Sequence, residues 1–597
     1  MNKYFFIVLS LLLAHVASGQ DLVILHTNDL HSHLNGFSPE TEYTPTKNDS
    51  DVTKGGFARI AGFIKNQKAL YGNKTLVVDA GDFLMGTLFQ TIEPISGFQL
   101  NLMKIMGYDY IALGNHEFDF GPDKLADIIN NNRNNGPIPQ LLCSNYAGTK
   151  IVDDKKITNL FNCGIIAKYK ITEKNGLKIG IFALMGKDAD KSIASYYGLK
   201  WEKQKKVAKA TSKYLKKVEK VDLVILLSHS GIEKNKKGEW GGEDIEYAKA
   251  APCIDIIISG HTHTRINRII HSGNAAIVQT GSYGMNVGKL MITMSRGNPE
   301  VKYELIEMND NITTDASIQE KIDNKIPEIE RNILAETKVK FNTPIAETTF
   351  DLVIDESHPQ QSNLGPFVAD AIYYYLNKKC NTPVDITLVA SGIIRNNIKK
   401  GKSGAQNIND IFNVMPLGSG NDSIPGSPLG KIYVTAHEFK KVLELILSVA
   451  PKQPNYYLYY SGIKIQYNPD KGLFRKISSI KIGDSTKGYK TLDTCKRNKQ
   501  LVGIAANKYL ISFMGRIRKM SFGLVKVVPK DKNGKPIQGE NFLIDTNPDR
   551  KGLQEAKEWL SMYYYINSFS DNNGNGIPEI PAIYKKKKNP LIVVKKD

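Results

Sequence analysis

An α/β fold is predicted for the first half of this 597-residue chain on three observations. Short runs rich in Val, Ile and Leu recur, with the length and composition of strands buried on both faces. Amphipathic segments at helical spacing lie between them, as in "GGFARIAGFIKNQKALYG" and "YAKAAPCIDII", so strand and helix alternate in layers. Five of the apolar runs end in Asp, Asn or His, where neutral turn residues would be ordinary.

In chain order, "VILHTNDLHSH" runs from Val23 to His33 and ends in Asp29 and His31. "TLVVDAGD" ends in Asp82. "YDYIALGNHEFD" ends in Asn115, His116 and Asp119. "VDLVILLSHS" delivers His229, and "CIDIIISGHTHT" delivers His261 and His263. With His33 counted and His26 left inside its strand, six of the 11 His of the chain sit at or just past these strand ends, a concentration that chance placement does not produce. In open α/β sheets the site lies at the carboxyl ends of the strands. Five such ends can bring Asp29, His31, Asp82, Asn115, His229, His261 and His263 together. Imidazole and carboxylate without Cys suit Zn, Mn, Fe or similar ions. Seven ligands exceed the need of one ion; with Asp82 as a bridge, each of two divalent ions receives four. His33 is read as a loop residue, and His26, inside its strand, as structural.

At 597 residues the chain exceeds one ordinary core, so two or more domains are expected. Composition is that of globular protein, 41% hydrophobic and 23% charged. The first 19 residues form a secretory signal: Lys3, an apolar core from Tyr4 to Val16, then Ala17, Ser18 and Gly19. The protein is therefore expected to be exported, periplasmic or secreted. No later segment has transmembrane length. Five Cys remain, and an odd number leaves at least one unpaired in a monomer; none has zinc-knuckle spacing. The net charge of +19 is spread over scattered Lys and a tail, "YKKKKNPLIVVKKD", and is read as solubilising. With no aromatic-interleaved basic motif, no nucleic-acid polymer is expected as a partner.

The pieces "NDLHSH", "DAGD", "GNHEFD", "LSHSG" and "GHTHT", in this order, resemble the calcineurin-like metallophosphoesterases. "LHTNDLHSH" and "LGNHEFDFG" resemble the secreted 5′-nucleotidase branch, which includes UDP-sugar hydrolases and 2′,3′-cyclic-nucleotide phosphodiesterases. In the second half, "SNLGPFVADAIYYY", "ITLVASGIIRNNI" and "YYSGIKIQYNP" resemble the C-terminal domain of that family. The resemblance implies a four-layer α-β-β-α sandwich over residues 20–314, a helical connector over 315–339, and a second α/β (α+β) substrate-binding domain over 340–597, with the active site in the cleft between domains. It implies that Asp29, His31, Asp82 and His263 hold one ion and that Asp82, Asn115, His229 and His261 hold the other. Two such ions bind the phosphoryl oxygens and make a water nucleophilic near neutral pH. His116, oriented by Asp119, would then stabilise the leaving or phosphoryl oxygen.

The expected activity is hydrolysis of a small-molecule phosphoester, a nucleotide monoester first. The substrate loop departs from the family. Its Asn-x-Gly-Gly-x-Arg reads "ASGIIR", which keeps Gly392 and Arg395 but has Ala390 and Ile393. A second Arg is replaced by His358, and a stacking Phe by Leu417. These departures keep open a nucleotide sugar, a cyclic nucleotide or a non-nucleotide ester. A non-catalytic surface binding protein is disfavoured because every ligand and dyad residue is present. Tyr509 and "MYYYINSF" are read as core aromatics. "DNNGNGIPEIP" begins like a calcium loop but has Ala582 at the twelfth position, and is read as an Asn-Gly turn.

Overall fold

The computed structural model describes residues 22–36, 45–47, 52–150, 154–193, 197–235, 237–295, 298–422, 424–512, 517, 521, 523–586 and 591–594. The expected signal, residues 1–19, lies outside them. The chain divides into two compact units. The first ends at Lys325; the second begins at Ile326 and includes the segment Gly86–Thr91.

The first unit holds two large sheets. One contains β1 (Leu22–Thr27), β2 (Thr75–Asp79), β3 (Tyr110–Ala112), β4 (Gln140–Leu142) and β5 (Ile166–Ala167). The other contains β6 (Tyr169–Lys174), β7 (Leu177–Met185), β8 (Leu223–His229), β9 (Ile256–Ser259), β10 (Ile270–Ser272) and β11 (Ala275–Val278). A hairpin of β12 (Asn286–Ser295) and β13 (Asn298–Glu307) returns to the first. The orders are β13-β12-β1-β2-β3-β4-β5 and β10-β11-β9-β8-β7-β6. β1, β2 and β3 are mutually parallel, as are β7, β8 and β9.

The apolar runs are continuous because both faces of each sheet are covered. Ile24 and Val78 of the first sheet share one core with Ile181, Ile225 and Ile258 of the second. On the far side of the second sheet, Phe182, Leu226 and Ile257 pack with Ala208, Leu215 and Tyr247. The last three come from helices between strands; the helices of this unit include α1 (Phe57–Tyr71), α2 (Gln99–Met106), α3 (Pro122–Asn135), α4 (Lys187–Lys191), α5 (Gln204–Lys217), α6 (Glu243–Ala250) and α7 (Ala316–Asp323). On the far side of the first sheet, α1 packs against β2. It buries Phe57, Ile60 and Ile64, and ends at Gly72, whose φ of 56° suits glycine. The result is the four-layer α-β-β-α sandwich, with the parallel strands of each sheet ending at a common edge.

The connector 315–339 is not one helix. α7 stops at Asp323 and α8 (Ile326–Asn332) follows, so the boundary between the units falls in the break between them. In the second unit, α9 (Leu364–Tyr374), β14 (Ile386–Ala390), β15 (Leu429–Thr435), α10 (Ala436–Val449), β16 (Leu458–Ser461), β17 (Ile463–Tyr467), β18 (Ile477–Asp484), β19 (Gly488–Thr491), β20 (Leu501–Asn507), α11 (Glu558–Ile566) and β21 (Leu591–Val593) form a mixed α/β body. Its sheets run β15-β20-β14-β16 and β19-β18-β17-β21. α10 starts with a capping box between Thr435 and Glu438. The tyrosines of α11 are half-buried, at the margin of the core and not inside it: Tyr564 stacks on Tyr375 and Tyr565 packs on Tyr374.

The "DNNGNG" stretch folds as a turn. Asp571 accepts the backbone N–H groups of Gly574 and Gly576, and the Asn573 and Asn575 amides donate to Glu347.

Candidate metal centre

All seven expected ligands follow or end strands of the first unit, at the common edge just described. Two groups form: Asp29, His31 and His263, and Asp82, His229 and His261. In each, the potential ligand atoms lie within 4.8 Å of one another. Asn115 joins the second group, with its Oδ1 3.1 Å from His229 Nε2. Asp82 stands between the two. Its Oδ2 is 3.0 Å from His229 Nε2 and 3.9 Å from His31 Nε2.

The backbone pays strain for this convergence. Asp29, His31, Asp82, His261 and His263 all have positive φ, between 48° and 76°. Asp and His tolerate that region better than most residues, and such outliers persist where the surroundings over-determine them. Close approach also requires glycine. A Cβ on Gly114 would lie 2.2 Å from Asp82 Oδ1, so any other residue there would displace the carboxylate.

The ring nitrogens test whether cations fit. His31 Nδ1 lies 2.8 Å from the Met85 carbonyl, and His229 Nδ1 2.9 Å from the Ala80 carbonyl. Each Nδ1 therefore carries the proton, and in a neutral ring each Nε2 presents a lone pair. His31 Nε2 is 3.0 Å from His263 Nε2, and the His229 Nε2 lone pair faces the oxygens of Asp82 and Asn115. Acceptors converging this closely repel unless a cation lies among them. In the ion-free protein a proton serves. Burial opposes charge on both Asp82 and His229, but their mutual attraction prevails. Asp82 is held well below the usual carboxylate range, and His229 is pushed up to about 10. Among the described residues, the buried Asn115 Nδ2 has no hydrogen-bond partner, while its oxygen faces the cluster. The N/O donor set suits a Zn- or Mn-type ion.

His116 lies beside the cluster. Its backbone N–H donates to Asp82 Oδ1 at 2.8 Å, and its Nδ1 is 2.5 Å from Asp119 Oδ2. Both side chains are buried. His26 is buried in β1 against Tyr303, with neither ring nitrogen bonded among the described residues; burial lowers it to about 3, so it is neutral. His33 is buried as well, packed at a tilt on Tyr283 with Nδ1 on the His31 carbonyl.

Two buried side chains with no mark in the sequence support the ligands. Glu117 accepts three backbone N–H groups, from Asp82, Leu84 and Gly114. It ties the loop of Asp82 to the turn that presents Asn115. Asn28 donates to Asp29 Oδ2 and to the Gly281 carbonyl, and accepts from Thr280.

Residues 22–265 match the calcineurin-like phosphoesterase family, and residues 337–502 match the 5′-nucleotidase C-terminal domain. The chain belongs to the calcineurin-like phosphoesterases that carry a 5′-nucleotidase C-terminal domain. This phosphoesterase is 25% identical to the 5′-nucleotidase of Rattus norvegicus over 519 residues, 80% of this chain and 81% of that protein. It is 27% identical to an apyrase of Tabanus yao over 494 residues, 77% of this chain and 80% of the relative. Its fold is that of a 5′-nucleotidase precursor from Thermus thermophilus, with a TM-score of 0.65 and 20% identity over 96% of this chain and 100% of the other. The phosphoesterase is thus a hydrolase of the metal-dependent class.

Arg395 belongs to the second unit. It follows a 3-10 turn at Ser391–Ile393 and is half-buried, its N–H bonded to the Val414 carbonyl. The turn leans on Asn455, 3.1 Å from a Cβ built on Gly392. His358, in the place of the second family Arg, is exposed with Asp355 3.6 Å away. Leu417 is half-buried. All five cysteines are free. No helix among the described residues is long and apolar enough to cross a membrane.

Proposed function

We propose that this protein hydrolyses phosphate monoesters of nucleotides with two divalent ions, Zn, Mn or similar. One ion is held by Asp29, His31, Asp82 and His263, the other by Asp82, Asn115, His229 and His261. The observation that carries the reading is the convergence of acceptor atoms on Asp82, with His31 on one side and His229 on the other. Bound ions of this kind supply Lewis-acid charge to the phosphoryl oxygens and lower the pKa of water.

The chain's own residues do the rest. Asp119 holds His116 by its Nδ1, which fixes the ring and favours its cationic form as negative charge develops. His116 faces the leaving or phosphoryl oxygen with its other nitrogen and gives that oxygen a hydrogen bond or a proton. Arg395, a fork of five N–H donors, grips a phosphate or carboxylate of the substrate. The nucleotide class is supported by the names of the relatives, 5′-nucleotidase and apyrase, which align over about four-fifths of their own length.

Ala390, Ile393 and Leu417 favour a second reading, in which the same ions act on a nucleotide sugar, a cyclic nucleotide or a non-nucleotide ester. A panel of AMP, UDP-glucose, 2′,3′-cyclic AMP and an aryl phosphate, run on the ion-loaded full chain, separates the two. Highest kcat/KM on AMP supports the first reading; release from AMP no faster than with Asp82→Asn overturns it. We also propose export by the N-terminal signal, which N-terminal sequencing of the mature protein checks: it should begin near Gln20.

A further inference from the structure

Metal-binding histidines nearly always secure the ring nitrogen that is not on the metal, because that outer bond fixes the tautomer and sharpens the ligand. His31 and His229 do so on backbone carbonyls, through Nδ1, and turn Nε2 inward. His261 is turned the other way. Its Nε2 faces the Asp188 carboxylate, 3.8 Å from Oδ2, which leaves Nδ1 for the ion.

Asp188 is held where it can do this. It lies on α4, directly after β7. The Gly186 N–H that leads into the helix donates to the carbonyl of His229, itself one of the ligand set. The backbone N–H groups of Lys187 and Asp188 both donate to the Glu243 carboxylate, at 3.0 and 2.9 Å. The helix start is therefore bonded to β8 and α6 by three hydrogen bonds. The side chain itself is 68% exposed, and its Oδ1 accepts from Lys191 at 3.3 Å.

We infer that Asp188 is the outer partner of His261: a carboxylate that takes the Nε2–H, fixes Nδ1 as the coordinating nitrogen, and tightens the ion of the Asp82, Asn115, His229 and His261 set. The inference rests on the two-ion reading above. A distance of 3.8 Å exceeds a hydrogen bond. One bridging water, or a small rotation of this exposed side chain, closes it. Asp188 is not a ligand and touches no substrate; it acts through His261 as a positioning residue. Nothing in "GKDADK" distinguishes Asp188 from Asp190, whose carboxylate instead accepts the Trp201 indole N–H at 2.7 Å.

The test is a titration of the ion-free full chain with Mn²⁺ by calorimetry, on the parent and on Asp188→Asn, Asp188→Glu and Asp190→Asn. The parent should take up two ions; if it takes up none, the two-ion reading fails, and this inference with it. With two ions in the parent, Asp188→Asn should weaken one site roughly tenfold, the low end of what outer partners contribute, because the carboxylate is exposed and screened. The other site should not move. Asp188→Glu should recover part of the loss, and Asp190→Asn should bind as the parent does. Equal affinities in parent and Asp188→Asn overturn the inference while leaving the two-ion reading intact; so does an equal loss in Asp190→Asn, which would trace the effect to the helix and not to the carboxylate. A spectroscopic readout is independent of affinity. In the zinc-loaded parent with ¹⁵N-labelled histidine, His261 should show Nδ1 coordination and a retained Nε2–H. Coordination through Nε2 would refute the assignment.

Discussion

Removing the Asp119 carboxylate should slow the reaction only through His116. The Asp119 Oδ2 to His116 Nδ1 contact is 2.5 Å, and both groups are buried. A charge-assisted bond of this kind contributes about 1.5–3 kcal/mol net. If it is fully expressed when the ring carries charge in the transition state, Asp119→Asn should lower kcat by roughly 10- to 150-fold, at about 1.4 kcal/mol per factor of ten. His116→Asn removes the acid altogether and should cost roughly 10²–10⁴. Neither residue belongs to a ligand group, so metal content should stay at the parent level in both. The double variant is the decisive measurement. If Asp119 works only by orienting and charging His116, it should be no more than about threefold slower than His116→Asn alone, the two residues acting as a unit. The assay is kcat and kcat/KM on AMP and on an aryl phosphate, with elemental analysis of each preparation. Additive losses in the double variant would refute the dyad, because Asp119 would then act by another route. Loss of metal from His116→Asn would make that residue a ligand.

Asp82→Asn keeps an oxygen for the His116 N–H but removes the shared charge; ion content should fall at both groups and turnover should vanish, and parental values in elemental analysis would contradict the bridge. Arg395→Ala in the full chain should cost more kcat/KM on a nucleotide than on an aryl phosphate, because the nucleotide offers more to grip; equal losses would make the residue structural. Glu558, buried at the start of α11, is pushed up to about 8 from an ordinary 4.5 by burial, against the Asn507 amide that bonds it. Between those values the native state holds a proton that the unfolded chain has released, so stability should fall as pH rises from about 5 to 8, by an amount on the order of a few kcal/mol at 1.36 kcal/mol per unit. Glu558→Gln mimics the protonated form and should flatten that decline; urea unfolding at pH 5 and pH 8 with equal slopes in both proteins would reject this.

What was legible in the sequence was what parallel sheets enforce. β1, β2 and β3 run in one direction, and so do β7, β8 and β9, so a polar residue just past the end of any of them arrives at the same edge. Five apolar runs ending in Asp, Asn or His were therefore enough to bring seven candidate ligands to one edge; their division into two groups came only from the family resemblance. The supporting residues were not legible, because their partners are backbone groups brought together only by folding. Glu117 reads as an ordinary acid until three N–H groups from two separate loops converge on it. Asp188 reads as one charge in an exposed run until His261 turns its Nε2 toward it. The charged stretch 315–339 looked like one helix because periodicity and charge survive a break; the break at Asn324–Lys325 is marked by Pro327 alone, which suits the first turn of α8.

The Asp-x-His spacing deserves a different explanation from the one its pattern suggests. Residues two apart on a strand point to the same face, so Asp29 with His31, and His261 with His263, could be read as strand extensions. The backbone is otherwise: all four have positive φ, between 48° and 76°. Each chain end coils in the left-handed sense, and the side chains meet because the turn aims them. For L-residues this conformation is unfavourable, less so for Asp than for branched residues, and it persists only where something holds it. Here the holding bonds are visible. Asp29 N–H donates to the Gly81 carbonyl, His31 N–H to the Asp82 carbonyl, and the His261 N–H to the Asp29 carboxylate. The ligand loops are thus bonded to one another before any ion enters. Strain, close glycines and crossed backbone bonds together keep acceptor atoms nearer than they would choose to be, and a divalent cation relieves that repulsion.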